Sequence, residues 1–210
     1  MNSENASLEA LQDIKRIMER SSRFISLSGL SGLAAGVWAL IGAYFAHNWI
    51  EEYYHELNLR IFDEVPGNLK WRLVMLAGVV LLLALLSAIY FTWKKAKKSS
   101  LPVWDATSRK LLINLLIPLG TGGFFVTGLL YHNEWRFVAP ACLVFYGLAL
   151  VNASKYTLTD IRYLGILEVL LGLANMYSAE NGLYFWALGF GVLHIVYGLI
   201  MWWKYDRVES

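Results

Sequence analysis

Two ionisable side chains stand inside long apolar runs of this chain: Glu168 in "IRYLGILEVLLGLANMY" and His194 in "GVLHIVYGLI". A charged group at the centre of a bilayer costs about 2.5–3.5 kcal/mol on insertion scales, so it faces inward and finds a partner. A carboxyl beside an imidazole can take up, hold and pass on a proton, or fix a polar ligand. Counting back from the shared edge of the last two apolar runs puts Tyr197 level with Glu168, and His194 one turn deeper. Asn114 and Tyr146 reach a similar depth from the third and fourth runs. The expectation is a buried cluster of Glu168, His194, Tyr197, Tyr146 and Asn114. It acts either as a network that fixes helix rotation or as a proton or ligand site.

A second candidate lies in "IPLGTGGFF", with Pro118, Gly120, Thr121, Gly122 and Gly123 inside the third apolar run. Proline removes a backbone donor and crowds the preceding turn, and glycine is a poor helix former. One outcome is a broken helix whose free backbone groups, with Thr121, bind a substrate or ion. The other is a kinked helix packed closely through its glycines.

His47, Glu51 and His55 are spaced by four, so one continuing helix would put them on one face; His132 and Glu134 fall on the same side. Imidazole with carboxylate suits zinc. The spacing is not H-E-x-x-H, however, and "HNWIEEYYHEL" reads equally well as a wet interfacial extension, so no metal is assigned. Walker loops, nucleotide fingerprints, Cys-x-x-Cys pairs and haem-attachment sequences are missing from the chain. The expectation is therefore a protein that is not an enzyme and carries no cofactor. "KKAKK" beside an apolar run is an orientation and lipid signal, not a nucleic-acid site. Cys142 is alone, so it forms no internal disulfide.

The elements that must hold these residues are membrane helices. Of 210 residues, 57% are hydrophobic and only 16% charged, where soluble domains are about a quarter charged. Mean hydropathy is +0.46. Six apolar segments, roughly 24–47, 71–93, 110–131, 136–154, 161–177 and 183–203, are candidate spans. The first follows a long leader of mixed charge and has no small-residue cleavage site after it, so it reads as a retained helix.

Lysine and arginine set the orientation. Lys15, Arg16, Arg20, Arg23, Lys94, Lys95, Lys97, Lys98, Arg109, Lys110, Lys155, Arg162, Lys204 and Arg207 fall on one side; Arg60, Lys70, Arg72 and Arg136 fall on the other. Both termini are therefore expected in the cytoplasm. Tryptophans form the two interfacial belts, with Trp38 the mid-span exception. Ahead of the first span, Leu8, Leu11, Ile14, Ile17, Met18 and Phe24 recur at helical spacing, the mark of an amphipathic helix lying on the membrane or docking on a cytoplasmic partner.

The first span, "SLSGLSGLAAGVWALIGA", is threaded with small residues, including the pair Gly32 and Gly36. In lipid, helices associate through close backbone approach, which small residues permit. Serine hydroxyls there bond back to the preceding turn. This is a packing helix and not a nucleophile. Echoes between "FYGLALVNASKY" and "VYGLIMWWKY" hint at tandem hairpins.

At "FYGLALVNASKYT", "FWALGFGVLHIVYGLIMWWKYDR" and "MERSSRFISLSGLSGLAAG" the chain resembles a group of small bacterial six-helix membrane proteins. The resemblance implies the topology and a bacterial inner-membrane location, and brings no activity or site with it.

The reading is an all-α polytopic membrane protein. An amphipathic helix over 1–23 precedes a six-helix transmembrane domain over 24–204, built as three antiparallel hairpins, and 205–210 form a cytoplasmic tail. The expected function is a non-enzymatic membrane component: a sensor, accessory or interaction subunit. It sits in the lipid bilayer, as a homo-oligomer or with a membrane or cytoplasmic protein partner, and binds no nucleic acid. The alternative is a small-solute or ion/proton-coupled transporter using the broken third helix and the Glu/His cluster.

Overall fold

The structure, a computed structural model, describes residues 28–57, 67–98 and 104–207, with the backbone alone over 54–57. The amphipathic segment expected over 1–23 lies outside the described residues. Every regular element among those described is helical. In lipid a spanning segment must pair its backbone groups within itself, and a helix does so.

The six helices are α1 (Gly29–Leu57), α2 (Gly67–Lys98), α3 (Ala106–Tyr131), α4 (Val138–Ala153), α5 (Asp160–Tyr177) and α6 (Ala179–Asp206). Five of them are long and apolar enough to cross a membrane: α1, α2, α3, α4 with its flanking 3-10 turns, and α6. The remaining one, α5, has 18 residues and carries Asp160, Arg162 and Glu168. The protein is a multi-span helical bundle.

Neighbours in sequence are not always the main neighbours in space. Helix α1 packs on α2 and α3 on α4, as hairpins would, but α5 packs chiefly on α4, and α6 chiefly on α1. Glycine explains the two closest crossings. A Cβ on Gly147 would lie 2.5 Å from the Gly165 carbonyl oxygen, and one on Gly165 would lie 2.7 Å from that of Gly147, so the α4 and α5 backbones touch. Between α1 and α6, a Cβ on Gly36 would meet the Gly191 oxygen at 2.6 Å, and one on Gly198 would meet Leu33 N at 2.5 Å. Gly32 is looser, its nearest neighbour being the Gly198 Cα at 3.4 Å. The small-residue strip of α1 is thus occupied by α6 of the same chain.

The third helix is continuous, not broken. Pro118 lies inside α3 and deprives the carbonyl four residues earlier, that of Asn114, of its donor. Asn152 Nδ2 of α4 supplies the missing hydrogen bond at 2.8 Å. Gly122 lies under Phe145, whereas Gly120 and Gly123 have nothing near them. Trp38, the mid-span exception, donates to Ser87 Oγ of α2 at 3.1 Å.

One end of the bundle is tied by charge. Asp206 accepts from Ser28 Oγ at 2.9 Å and from Gly29 N at 3.0 Å, capping the start of α1, and pairs with Lys95 of α2 at 2.7 Å. Asp160, opening α5, accepts from Tyr205 Oη at 2.6 Å and from Lys204 Nζ at 3.0 Å. Burial would raise the Asp160 carboxyl, but these hydrogen bonds and the lysine charge hold it below the usual carboxylate range.

Candidate functional site

Helix α5 buries one stripe: Ile161, Leu164, Gly165, Glu168, Gly172 and Asn175. Those intervals of three and four are the inward face of a helix, and they bring Glu168 to zero exposure in the interior. Opposite, α6 departs from α-helical geometry. Ala187–Leu193 is π-helical, and ordinary helix resumes at His194. A π segment adds a residue to a turn and is frequent at functional sites.

The extra residue re-aims the His194 ring. Its Nδ1 lies 3.0 Å from the carbonyl of Gly189, five residues earlier, and its Nε2 lies 2.8 Å from Tyr146 Oη of α4. A carbonyl only accepts, so Nδ1 carries the hydrogen, and in the neutral ring Nε2 accepts from the tyrosine hydroxyl. Phe190 stacks near-parallel on the imidazole, 6.0 Å between centroids, and Trp186 continues the aromatic row.

Glu168 Oε1 lies 3.4 Å from His194 Nδ1, an ion-pair distance without hydrogen-bond geometry, because that N–H points at Gly189. Neither carboxyl oxygen of Glu168 has a hydrogen-bond partner among the described residues. Buried polar groups are otherwise almost always satisfied, so each exception calls for a reason. Carboxyl and imidazole together hold one proton in two arrangements, acid with neutral ring or carboxylate with imidazolium. Because Nδ1 already carries its hydrogen, a further proton on the ring goes to Nε2, the nitrogen that faces Tyr146, and does not pass straight from Glu168 to Nδ1.

Of the residues picked out in the sequence, the structure brings together Glu168, His194 and Tyr146. Tyr197 instead packs against the apolar cluster of Leu150, Leu158, Ile161, Leu164 and Met201. Asn114 turns its amide back to the Lys110 carbonyl, and exposed Thr121 bonds to that of Ile117. Both hydroxyl and amide are thus used locally, on a helix that stays closed.

The metal candidates stay apart from this site. His47 Nε2 and Glu51 Oε2 are 3.7 Å apart and exposed, and the His55 side chain is outside the described ones. Among the described residues no group of three His, Cys, Asp or Glu could hold a metal. His132 and Glu134 border a shallow groove along α3 with Phe124 and Phe125.

Two residues were passed over in the sequence. Gly189 leaves room for the carboxyl, since a Cβ there would lie 2.5 Å from Glu168 Oε2. Asn175 is wholly buried with its Oδ1 unpartnered; its place seven residues beyond Glu168, two turns along one face, was a readable signal. Compared with family models, curated proteins and solved structures, the chain matches none.

Proposed function

We propose that this protein is a proton-coupled membrane carrier, with Glu168 and His194 as its proton site and Tyr146 as the hydroxyl that holds the imidazole. The observation that carries the reading is the fully buried Glu168 carboxyl, unpartnered by hydrogen bonds and 3.4 Å from His194 Nδ1. A carboxyl kept only for stability would sit among donors, because an unsatisfied buried group costs about 1–3 kcal/mol or more. Intramembrane ionisable pairs of this kind are characteristic of proton relays in transporters.

In this reading α5 also crosses, making six spans. The Asp206 end faces the cytoplasm on the count of lysine and arginine, in a bacterial inner membrane. In this reading the site only gains and loses protons, and no catalytic role is assigned to it. The rival reading, an accessory or interaction subunit, relied on the small-residue strip of α1, and that strip is taken up by α6.

The test is proton movement into liposomes carrying an entrapped pH dye under an imposed potential. Wild-type protein is expected to acidify the lumen. Glu168→Gln and His194→Gln are expected to lower the rate at least tenfold while remaining folded. A silent wild type across a panel of candidate solutes, or a Glu168→Gln variant that matches it, overturns the carrier.

A further inference from the structure

The unpartnered polar atoms of the interior are not scattered. Among the described residues, the buried atoms without a hydrogen-bond partner are both Glu168 oxygens, Asn175 Oδ1, Trp135 Nε1 and, at the opposite end, Asp206 Oδ1, which is ion-paired with Lys95. Those of Glu168, Asn175 and Trp135 run in one direction. Asn175 stands seven residues beyond Glu168 on the buried stripe of α5, about 10 Å along the axis at 1.5 Å per residue. Trp135 belongs to the turn Trp135–Phe137, which packs beside the turn Ala179–Asn181 at the same end.

Helix α6 matches the two α5 side chains with glycines. Gly189 lies against Glu168, and seven residues earlier Gly182 lies against Asn175, its Cβ position 3.9 Å from Oδ1. The helices are antiparallel, so each inward polar group of α5 meets a position of α6 without a side chain. The other half of the interface is different in kind. Toward Asp206, Ile161 and Leu164 of α5 pack with Leu150, Leu158, Met201 and the flanking Leu193 in one apolar cluster. Past it, Asp160 with Lys204 and Tyr205, and Asp206 with Lys95 and Ser28, tie the helix ends.

We propose that Asn175, with Trp135, forms a second polar station through which water reaches Glu168 from the Trp135 end, while the apolar cluster seals the site from the Asp206 end. This rests on the carrier reading for its purpose, but not for its geometry. Water needs two or more polar partners to sit in an interior. Trp135 Nε1, Asn175 Oδ1 and the Glu168 oxygens are such partners, whereas the apolar cluster offers only the hydroxyls of its flanking tyrosines, of which Tyr146 and Tyr205 are already bonded to His194 and Asp160. Asn175 keeps its Nδ2 on the Ser178 carbonyl at 2.9 Å, which leaves its Oδ1 as an acceptor for a passing water.

Silver ion, small enough to follow water and reactive with thiols, is the probe. In a Cys142→Ala background, Glu168→Cys is placed in vesicles of defined sidedness, checked with Asn68→Cys and Lys97→Cys. Thiols left after exposure are titrated in the unfolded protein. Loss of the Glu168→Cys thiol is expected only when silver is added at the Trp135 end. Adding Asn175→Leu should slow that loss at least tenfold, and Leu164→Cys should stay unreacted from both sides. His194→Cys gives an independent reporter where Glu168→Cys does not fold. Reaction from the Asp206 end, equal reaction from both, or none from either overturns the route. Silver labelling and proton flux fail separately: a one-sided label in a protein that moves no protons sinks the carrier and leaves the route. Flux without one-sided labelling sinks the route alone.

Discussion

Gly189 and Glu168 are fitted to one another: a Cβ on Gly189 would stand 2.5 Å from Glu168 Oε2 and 2.5 Å from Leu143 Cδ2. The same glycine offers its carbonyl to His194 Nδ1. One residue without a side chain therefore makes room for the acid and holds the base. Gly189→Ala is expected to push Glu168 out of register and cost about 1–3 kcal/mol, as overpacking does. Melting in detergent measures it. Glu168→Ala should relieve part of the cost in the double variant, giving a coupling energy above about 0.5 kcal/mol; purely additive losses would show that the two do not meet.

The α1–α6 crossing distinguishes two glycines that look alike in sequence. Gly36 has the Gly191 oxygen 2.6 Å from its Cβ position, whereas Gly32 has nothing closer than 3.4 Å. Gly36→Ala should lower the melting temperature clearly, by a cost of about 1–3 kcal/mol. Gly32→Ala should leave it within about 0.5 kcal/mol of wild type or raise it slightly, since alanine is the better helix former. Equal losses for both would contradict the packing.

The bond from Asn152 to the Asn114 carbonyl exists because Pro118 leaves that oxygen without its own donor. Asn152→Ala should strand a partly buried acceptor and cost about 1 kcal/mol. Pro118→Ala returns the backbone N–H, so the double variant should recover most of the loss. An Asn152→Ala protein that melts like wild type would remove this account of the unbroken third helix.

The clamp of Asp160 with Tyr205 and Lys204 has a defined dependence on pH. Its carboxyl is held below the ordinary value in the folded protein, first against burial and then by the two hydrogen bonds and the charge. Its contribution is therefore complete above the unfolded value of about 3.9 and is lost as pH falls through the folded value. Asp160→Asn should destabilise at pH 7 by about 1–2 kcal/mol, because one strong hydrogen bond and a half-exposed ion pair are weakened. The gap from wild type should close as pH falls below about 4. A gap that persists in acid would exclude the carboxylate as its source.

Orientation is tested directly. Cysteines near Lys97 and Ser210 should be labelled by an impermeant reagent only from the cytoplasm, and one near Asn68 only from outside. Reaction of Asn68→Cys and Lys97→Cys from one face would rule out an α2 that crosses.

Much of this architecture follows from the amino-acid order alone. Apolar runs of membrane length become helices, because within a single segment only a helix pairs the backbone's polar groups in lipid. The inward face of α5 was equally legible, since Glu168 and its neighbours repeat at helical intervals. What no run of residues determined is which helices meet. Three antiparallel hairpins in chain order would pair α6 with α5, yet contact between backbones depends on where glycines from distant segments coincide. Gly191 and Gly198 coincide with Gly36 and Gly29 of α1. The same holds for the third helix: Pro118 and its glycines announce a break, and only Asn152, a distant residue on α4, closes it. The site obeys the same division. Glu168, His194 and Tyr146 could be chosen by depth, but Asn114 and Tyr197 at similar depth point elsewhere. Depth is a property of the sequence. Rotation about each helix axis, which decides what touches what, was settled by side chains packing across the bundle and by the π turn that swings His194 toward the acid.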